Sequence, residues 1–339
     1  MKYNIKHVAQ HANVSTATVS HVINNTRYVA PETKSRVKKS MNILKYQPNS
    51  VAKSLRTNKT KTIGVLLPTI TYDPLMLEIG SNDQNTKIIN GIRQGLQAQD
   101  YFILLGSLAA TGENELQQIM AMNARRVDGL IMLPHRSGED YSPEAHGANT
   151  PIVFVDRNID GEYGDIVMSD NYTGAYDAVN VLIQKGHKKI GIVTIDLEVS
   201  TLHDRIRAYK NALKDAGIEI DEGRILSGNY NLESYPQAFG RYIEQSDATA
   251  IFLANNPYAA WALKYINDKG IKVPKDLAFI AFDDFDYMEN TSPTLSAVRQ
   301  PFWDMGLKAA ELLLDRIQNK KKPYETVYLP TQLILRESI

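Results

Sequence analysis

From residue 62 onward the chain repeats one pattern: a short, almost wholly apolar run, then an amphipathic stretch. IGVLLP (63–68), YFILLGS (101–107), VDGLIMLP (127–134) and PIVFVD (151–156) form a first series, with helical periodicity over 84–99 and 114–123. A second series comprises KKIGIVTI (188–195), TAIFLAN (249–255) and LAFIAFDD (277–284). Its helices are expected over 173–185, 204–216 and 257–269, ending at Gly186, Gly217 and Gly270, since glycine readily takes the left-handed turn that closes a helix. Runs that are apolar at every position are buried on both faces, as parallel strands are when helices cover them. The expected body is therefore α/β, built of two similar parallel-sheet lobes, with ligands beyond the carboxyl ends of the strands. A last strand is expected around 327–335.

At 339 residues the chain exceeds one compact core. It has no cysteine, which excludes disulfides, zinc-thiolate sites and cysteine catalysis. No apolar run reaches the ~18 residues of a membrane helix, and the polar N-terminus does not resemble a secretory signal. A cytoplasmic protein is expected. Enzyme signatures are missing: no GxGxxG leads a strand into a helix, and no Walker loop, HExxH or GxSxG occurs. His187 reads as a loop residue, and no cofactor is expected.

Net charge is zero, yet unevenly placed. Residues 1–60 hold eleven Lys and Arg against one acid, Glu32; the rest hold 27 bases and 37 acids. A head at +10 on a body at −10 suits a head that meets a polyanion. Within the head, IKHVAQHANVSTATVSHVIN (5–24) reads as two short helices around a turn at Asn13, with Ser15 capping the second. Thr16, Ala17, Ser20 and His21 then face solvent, a mild hydrogen-bonding surface suited to base edges. Thr16, Ala17 and His21 are the candidate base readers. Ser15, Ser20, Asn24 and Tyr28 are assigned to phosphates or caps. Pro31 opens a third helix running to about Lys45. NSVAKSLRT (49–57) makes a two-turn helix that is marginal alone.

These stretches carry a resemblance. IKHVAQHANVSTATVSHVINNT and YVAPETKSRVKKSMNILKYQPNSVAKSLRTNKTKTIGVLLP resemble the head of the LacI/GalR family of bacterial repressors. RVDGLIMLP, DNYTGAYDAVNVLIQKGHKKIGIV, RIRAYKNAL, AIFLANNPYAAWAL, GIKVPKDLAFIAFDD and SPTLSAVRQP follow as body landmarks, so the likeness spans the chain. It implies a helix-turn-helix head (1–48), a hinge helix and linker (49–61), and a body similar to type I periplasmic sugar-binding proteins. The expected lobes are 62–160 plus about 293–322, and 161–292 plus about 323–339.

It further implies a homodimer on palindromic operator DNA. The hinge pair would enter the minor groove through Asn49, Ala52 and Lys53, with Leu55 as a wedge that kinks the duplex. Where many relatives have Arg, this chain has His21. Between the lobes the resemblance points to Tyr72, Asp73, Asp156, Arg205, Tyr230, Asn256 and Asp283 as effector-binding residues. Paired carboxylates, amides and an arginine suit a polyhydroxylated ligand, a sugar or sugar phosphate. The alternatives are a purine corepressor or a phosphorylated carrier protein, as in related catabolite-control regulators. A transport-type sugar-binding protein is disfavoured by the basic head. Without terminal leucine heptads, a tetramer of that kind is not expected.

Overall fold

The computed structural model describes residues 3–47, 59–68, 81–108, 115–134, 140–195, 199–228 and 234–339. The chain divides into two compact units, Met1–Thr60 and Lys61–Ile339.

The first unit holds α1 (Ile5–Ala12), α2 (Thr16–Asn24) and α3 (Pro31–Ile43). Asn4 caps α1 by accepting from the backbone N–H groups of Lys6 and His7, while its own N–H donates to His7 Nδ1 at 3.1 Å. Asn13 ends α1 in the left-handed region (φ 51°), which an Asn tolerates better than most residues. Ser15 Oγ accepts from the Thr18 N–H at 3.0 Å and caps α2. Val8, Ala9, Ala12, Val19, Val22 and Val37 are buried together, with Ile5, Val14, Ile23, Met41 and Leu44 around them. The hinge helix expected over 49–57, with Asn49, Ala52, Lys53 and Leu55, lies outside the described residues.

The second unit contains two six-stranded sheets. In chain order its elements are β1 (Thr62–Pro68), α4 (Ser81–Gln97), β2 (Phe102–Leu108), α5 (Glu115–Ala124), β3 (Gly129–Met132), α6 (Pro143–His146), β4 (Ile152–Val155), β5 (Asp165–Ser169), α7 (Asn171–Gln184), β6 (Ile190–Thr194), α8 (Ser200–Asp215), β7 (Ile225–Ser227), α9 (Tyr235–Gln245), β8 (Ala250–Leu253), α10 (Asn256–Lys269), β9 (Ala278–Phe282), β10 (Ser296–Arg299), α11 (Phe302–Gln318), β11 (Thr326–Leu329) and β12 (Gln332–Ile334). The sheets run β11-β5-β4-β3-β1-β2 and β12-β10-β9-β8-β6-β7. Every pairing is parallel except that of β12 with β10. The inner strands β3, β4, β5, β6, β8 and β9 are buried at every position, as the apolar runs of all but β5, which carries Asp165 and Ser169 at its ends, require.

The chain passes between the lobes later than expected. β5 joins the first sheet between β4 and β11, β10 joins the second beside β9, and β11 returns to the first. The crossings therefore follow Ser169, Arg299 and Leu329 and not residues 160, 293 and 322. A buried ion pair fixes the first of these: Asp165 in β5 meets Arg316 of α11, with Oδ1 at 2.6 Å from Nη2 and Oδ2 at 3.0 Å from Nε. The single strand expected near 327–335 is likewise two, β11 and β12, in different sheets. No element is expected from the sequence at β5, β7, β10, α6, α9 or α11. Strands β5, β7 and β10 are short or mixed with polar residues, and β5 and β10 each draw a second partner, β11 and β12, from further along the chain.

Helices α4 and α11 meet backbone to backbone. A Cβ placed on Gly91 would lie 2.0 Å from the Trp303 carbonyl oxygen, and one on Gly306 would lie 2.1 Å from that of Ile88. Glycine is required at both places by close approach alone. Among the described residues no helix is long and apolar enough to cross a membrane.

Candidate nucleic-acid interface and ligand cleft

In the head, Thr16 and Ala17 are exposed in the first turn of α2, and His21 is half-buried in its last. Ser20 and Asn24 are engaged with one another: Asn24 Nδ2 donates to the Ser20 carbonyl at 2.8 Å and to its Oγ at 3.3 Å. Ser15 serves as the cap. Tyr28, in the loop before α3, is 90% exposed. His21 Nδ1 lies 2.8 Å from Thr26 Oγ1, across the left-handed residue Asn25 (φ 53°) that ends α2. Lys34 Nζ of α3 donates to Asn25 Oδ1 at 3.1 Å, tying this turn down. One end of α2 thus presents small polar and methyl groups, and the other a tethered imidazole.

In the body, the candidate residues gather where strands end. Asp156 follows β4 and Asp283 follows β9; both are left-handed, with φ of 61° and 77°. Arg157 Nη1 donates to Asp156 Oδ2 at 2.5 Å, and Gln84 Nε2 of α4 to the same oxygen at 3.4 Å. Gln300, just past β10, donates from Nε2 to Asp283 Oδ1, while its Oε1 accepts from Ser169 Oγ at the end of β5. Gln300 thus ties the two lobes.

A helix beginning at residue 204 would put Arg205 in its first turn, where the helix dipole disfavours a cation. The helix instead begins at Ser200, which places Arg205 in its second turn and removes that argument. Its surroundings explain it better. The side chain is buried, with Nε on Asn171 Oδ1 at 2.9 Å, Nη1 on the Ala254 carbonyl at 2.9 Å, and Nη1 4.0 Å from Asp283 Oδ2. Its guanidinium carbon lies 3.7 Å from the centre of the Phe282 ring. Burial lowers the Arg205 pKa from its ordinary value, opposed by Asp283 and Asp156. Burial likewise raises that of Asp283, opposed by Arg205 and the Gln300 hydrogen bond, while the charge of Asp156 adds to the rise.

Three buried polar atoms in this neighbourhood have no hydrogen-bond partner among the described residues: Asp156 Oδ1, Arg157 Nε and Asn255 Oδ1. Such atoms are costly unless something beyond the described residues satisfies them, as a bound ligand would. Two are acceptors and one is a donor.

Asn255 and Gln300 are the residues that sequence reasoning left out. Asn255 and Asn256 form a doublet after β8. Asn256 opens α10, whereas Asn255 is the capping position, and its side chain makes no capping bond. Nothing in the doublet itself distinguishes the two. A polar residue just past a strand and before a proline, as Gln300 is, was the available signal there. Tyr72, Asp73 and Tyr230 lie outside the described residues.

A family model described as bacterial regulatory proteins, lacI family, matches residues 4–49, and one described as a periplasmic binding protein-like domain matches residues 179–339. The ribose operon repressor of Haemophilus influenzae is 32% identical over 336 residues, covering 99% of this chain and 98% of the repressor. The chain belongs to the LacI family. The HTH-type transcriptional repressor PurR of Vibrio atlanticus, also of this family, is 32% identical over 338 residues, again covering 99% of this chain and 98% of its own. Among solved structures, the transcriptional regulator CelR in its cellobiose complex is 27% identical with a TM-score of 0.72, covering 99% of each chain. Like other LacI-family proteins this one is a DNA-binding transcriptional regulator and not an enzyme.

Proposed function

We propose that this regulator is a repressor that binds palindromic operator DNA as a homodimer in the cytoplasm and responds to a neutral sugar held between its lobes. The observation that carries the ligand is the set of three unpartnered buried atoms, Asp156 Oδ1, Arg157 Nε and Asn255 Oδ1. Two acceptors need donors, and one donor needs an acceptor. A ring of hydroxyls supplies both, because each hydroxyl donates once and accepts twice. A phosphate dianion offers the acceptors nothing. The charges nearby already balance, with Asp156 and Asp283 against Arg157 and Arg205. Among the described residues Phe282 offers a purine no free face to stack on, since Arg205 covers it. Two relatives agree in class, one named for a ribose operon and one complexed with cellobiose.

Support for the dimer comes from β2, an edge strand with Phe102 74% and Leu105 56% exposed. Edge strands carrying large apolar groups are usually covered by another chain. In the head, Thr16, Ala17 and His21 are assigned to base edges, and Ser15, Ser20, Asn24 and Tyr28 to the backbone or to caps. Asp156, Arg205 and Asp283, with Asn255 and Arg157, are assigned to the ligand.

A thermal-shift comparison of D-ribose, cellobiose, ribose 5-phosphate and hypoxanthine tests the ligand. At a hundredfold excess over Kd a ligand adds about 2.7 kcal/mol to the folded state. A rise with a neutral sugar is expected. A rise with the phosphate or the purine alone would overturn the assignment. On DNA, affinity should fall steeply as salt increases, because each neutralised phosphate releases a counterion.

A further inference from the structure

We propose that Thr26 is a positioning residue for base recognition: its hydroxyl holds the imidazole of His21 so that Nε2–H is presented to a guanine. This rests on the reading above that α2 meets base edges. The geometry is local and closed. His21 stands in the last turn of α2, and Asn25 turns left-handed. That reversal brings residue 26 back over the helix end, where Thr26 Oγ1 lies 2.8 Å from His21 Nδ1. The turn cannot easily relax, because Lys34 of α3 donates to Asn25 Oδ1.

An imidazole on its own rotates about its side chain and exchanges its proton between two nitrogens, so it specifies a base poorly. A hydroxyl on Nδ1 holds the ring's rotation; because it can donate or accept, the direction of the bond is part of the proposal, with Thr26 as the donor. Nδ1 is the hydrogen-bond partner the structure gives the Thr26 hydroxyl among the described residues. With the Thr26 proton donated to Nδ1, the neutral ring carries its own proton on Nε2. With the ring charged, both nitrogens donate and Thr26 accepts. In both of these states Nε2 is a donor, and the acceptors that match it in the major groove are N7 and O6 of guanine; the remaining state, with Nδ1–H donating to Thr26 Oγ1, would make Nε2 an acceptor for an amino group of adenine or cytosine, and selection of such a base at this position would overturn the assignment. Nε2 itself has no partner among the described residues.

The test begins with selection of the preferred site by the full-length protein from a randomised palindromic library, followed by affinity measurements on single-base variants. Thr26→Val keeps shape and removes the hydroxyl. It should weaken binding roughly tenfold and relax preference at one G·C pair per half-site, the same pair that His21→Ala relaxes. Thr26→Ser should restore that preference. In the His21→Ala background, Thr26→Val should change nothing further. If Thr26→Val still alters preference there, Thr26 acts on DNA directly and the proposal fails. If Thr26→Val weakens all sites equally, or Ser does not rescue, its role is structural and the proposal fails. If His21→Ala relaxes no position, the underlying assignment of His21 to base reading is what fails.

Discussion

Asp156 and Asp283 occupy the same place in the two lobes. Each follows the third strand of its sheet, each is left-handed, and each donates its N–H to the next strand, to the Val167 carbonyl at 2.9 Å and the Val298 carbonyl at 3.0 Å. A left-handed residue turns its carboxylate away from the direction the strand was taking. The duplicated lobes therefore supply two acids to one region, and Arg157 and Arg205 stand beside them.

Asp156→Asn and Asp283→Asn should each weaken sugar binding by about 10- to 100-fold, the range for losing a charged hydrogen-bond partner. Asparagine keeps the left-handed backbone, so the melting temperature without ligand should change little. Titration calorimetry with the sugar found by thermal shift checks this. Unchanged affinity in both variants would remove the acids from the site.

The raised pKa of Asp283 makes stability depend on pH. Burial is the main cause, so between its unfolded value, about 4, and its higher folded value the folded protein binds more protons than the unfolded chain. Stability should fall as pH rises through that window. Urea denaturation across a pH series should show this slope in the native protein and a flatter one in Asp283→Asn. Parallel curves would contradict it.

Arg316→Met should destabilise the body by about 3–5 kcal/mol, because it leaves the buried Asp165 carboxylate without its cation. Arg316 also donates to the carbonyls of Lys322 and Pro323, which lead into β11. Pairing the change with Asp165→Asn should recover part of the loss. An additive double variant would show that the two residues act separately.

Gly306→Ala should cost at least about 1–3 kcal/mol, as overpacking does. The added carbon would meet the backbone oxygen of Ile88 at 2.1 Å, and a backbone cannot rotate away as a side chain does. Chemical denaturation measures the loss, and wild-type stability would show that α4 and α11 separate easily.

Much of this was open to reading from the residues. Caps and turns are local, so Asn13, Ser15 and Pro31 could be placed from their neighbours. The inner strands could be placed because burial on both faces leaves a continuous apolar run. The short strand β7 and the polar-flanked β5 could not, since their strand character depends on partners such as β6, β4 and β11. In the cleft, the acids closing apolar strands stood out, whereas Asn255 and Gln300 did not. A buried atom without a partner is visible only when all its neighbours are in place.

The sequence by itself determined the class of the body, the charge of the head and the local shape of its helices, because each follows from composition, periodicity or short-range hydrogen bonding; the family was legible only through the likeness of its motifs to those of known repressors. Only the tertiary structure decided where the chain crosses between lobes, that Arg205 is held by Asn171 and Ala254, that Gln300 joins Ser169 to Asp283, and that Thr26 meets His21. Apart from the Thr26 contact and the shorter step from Asp283 to Gln300, these join residues more than thirty positions apart or depend on which sheet a strand enters. Even the Thr26 contact needs a left-handed turn whose exact closure no pattern of residue types specifies.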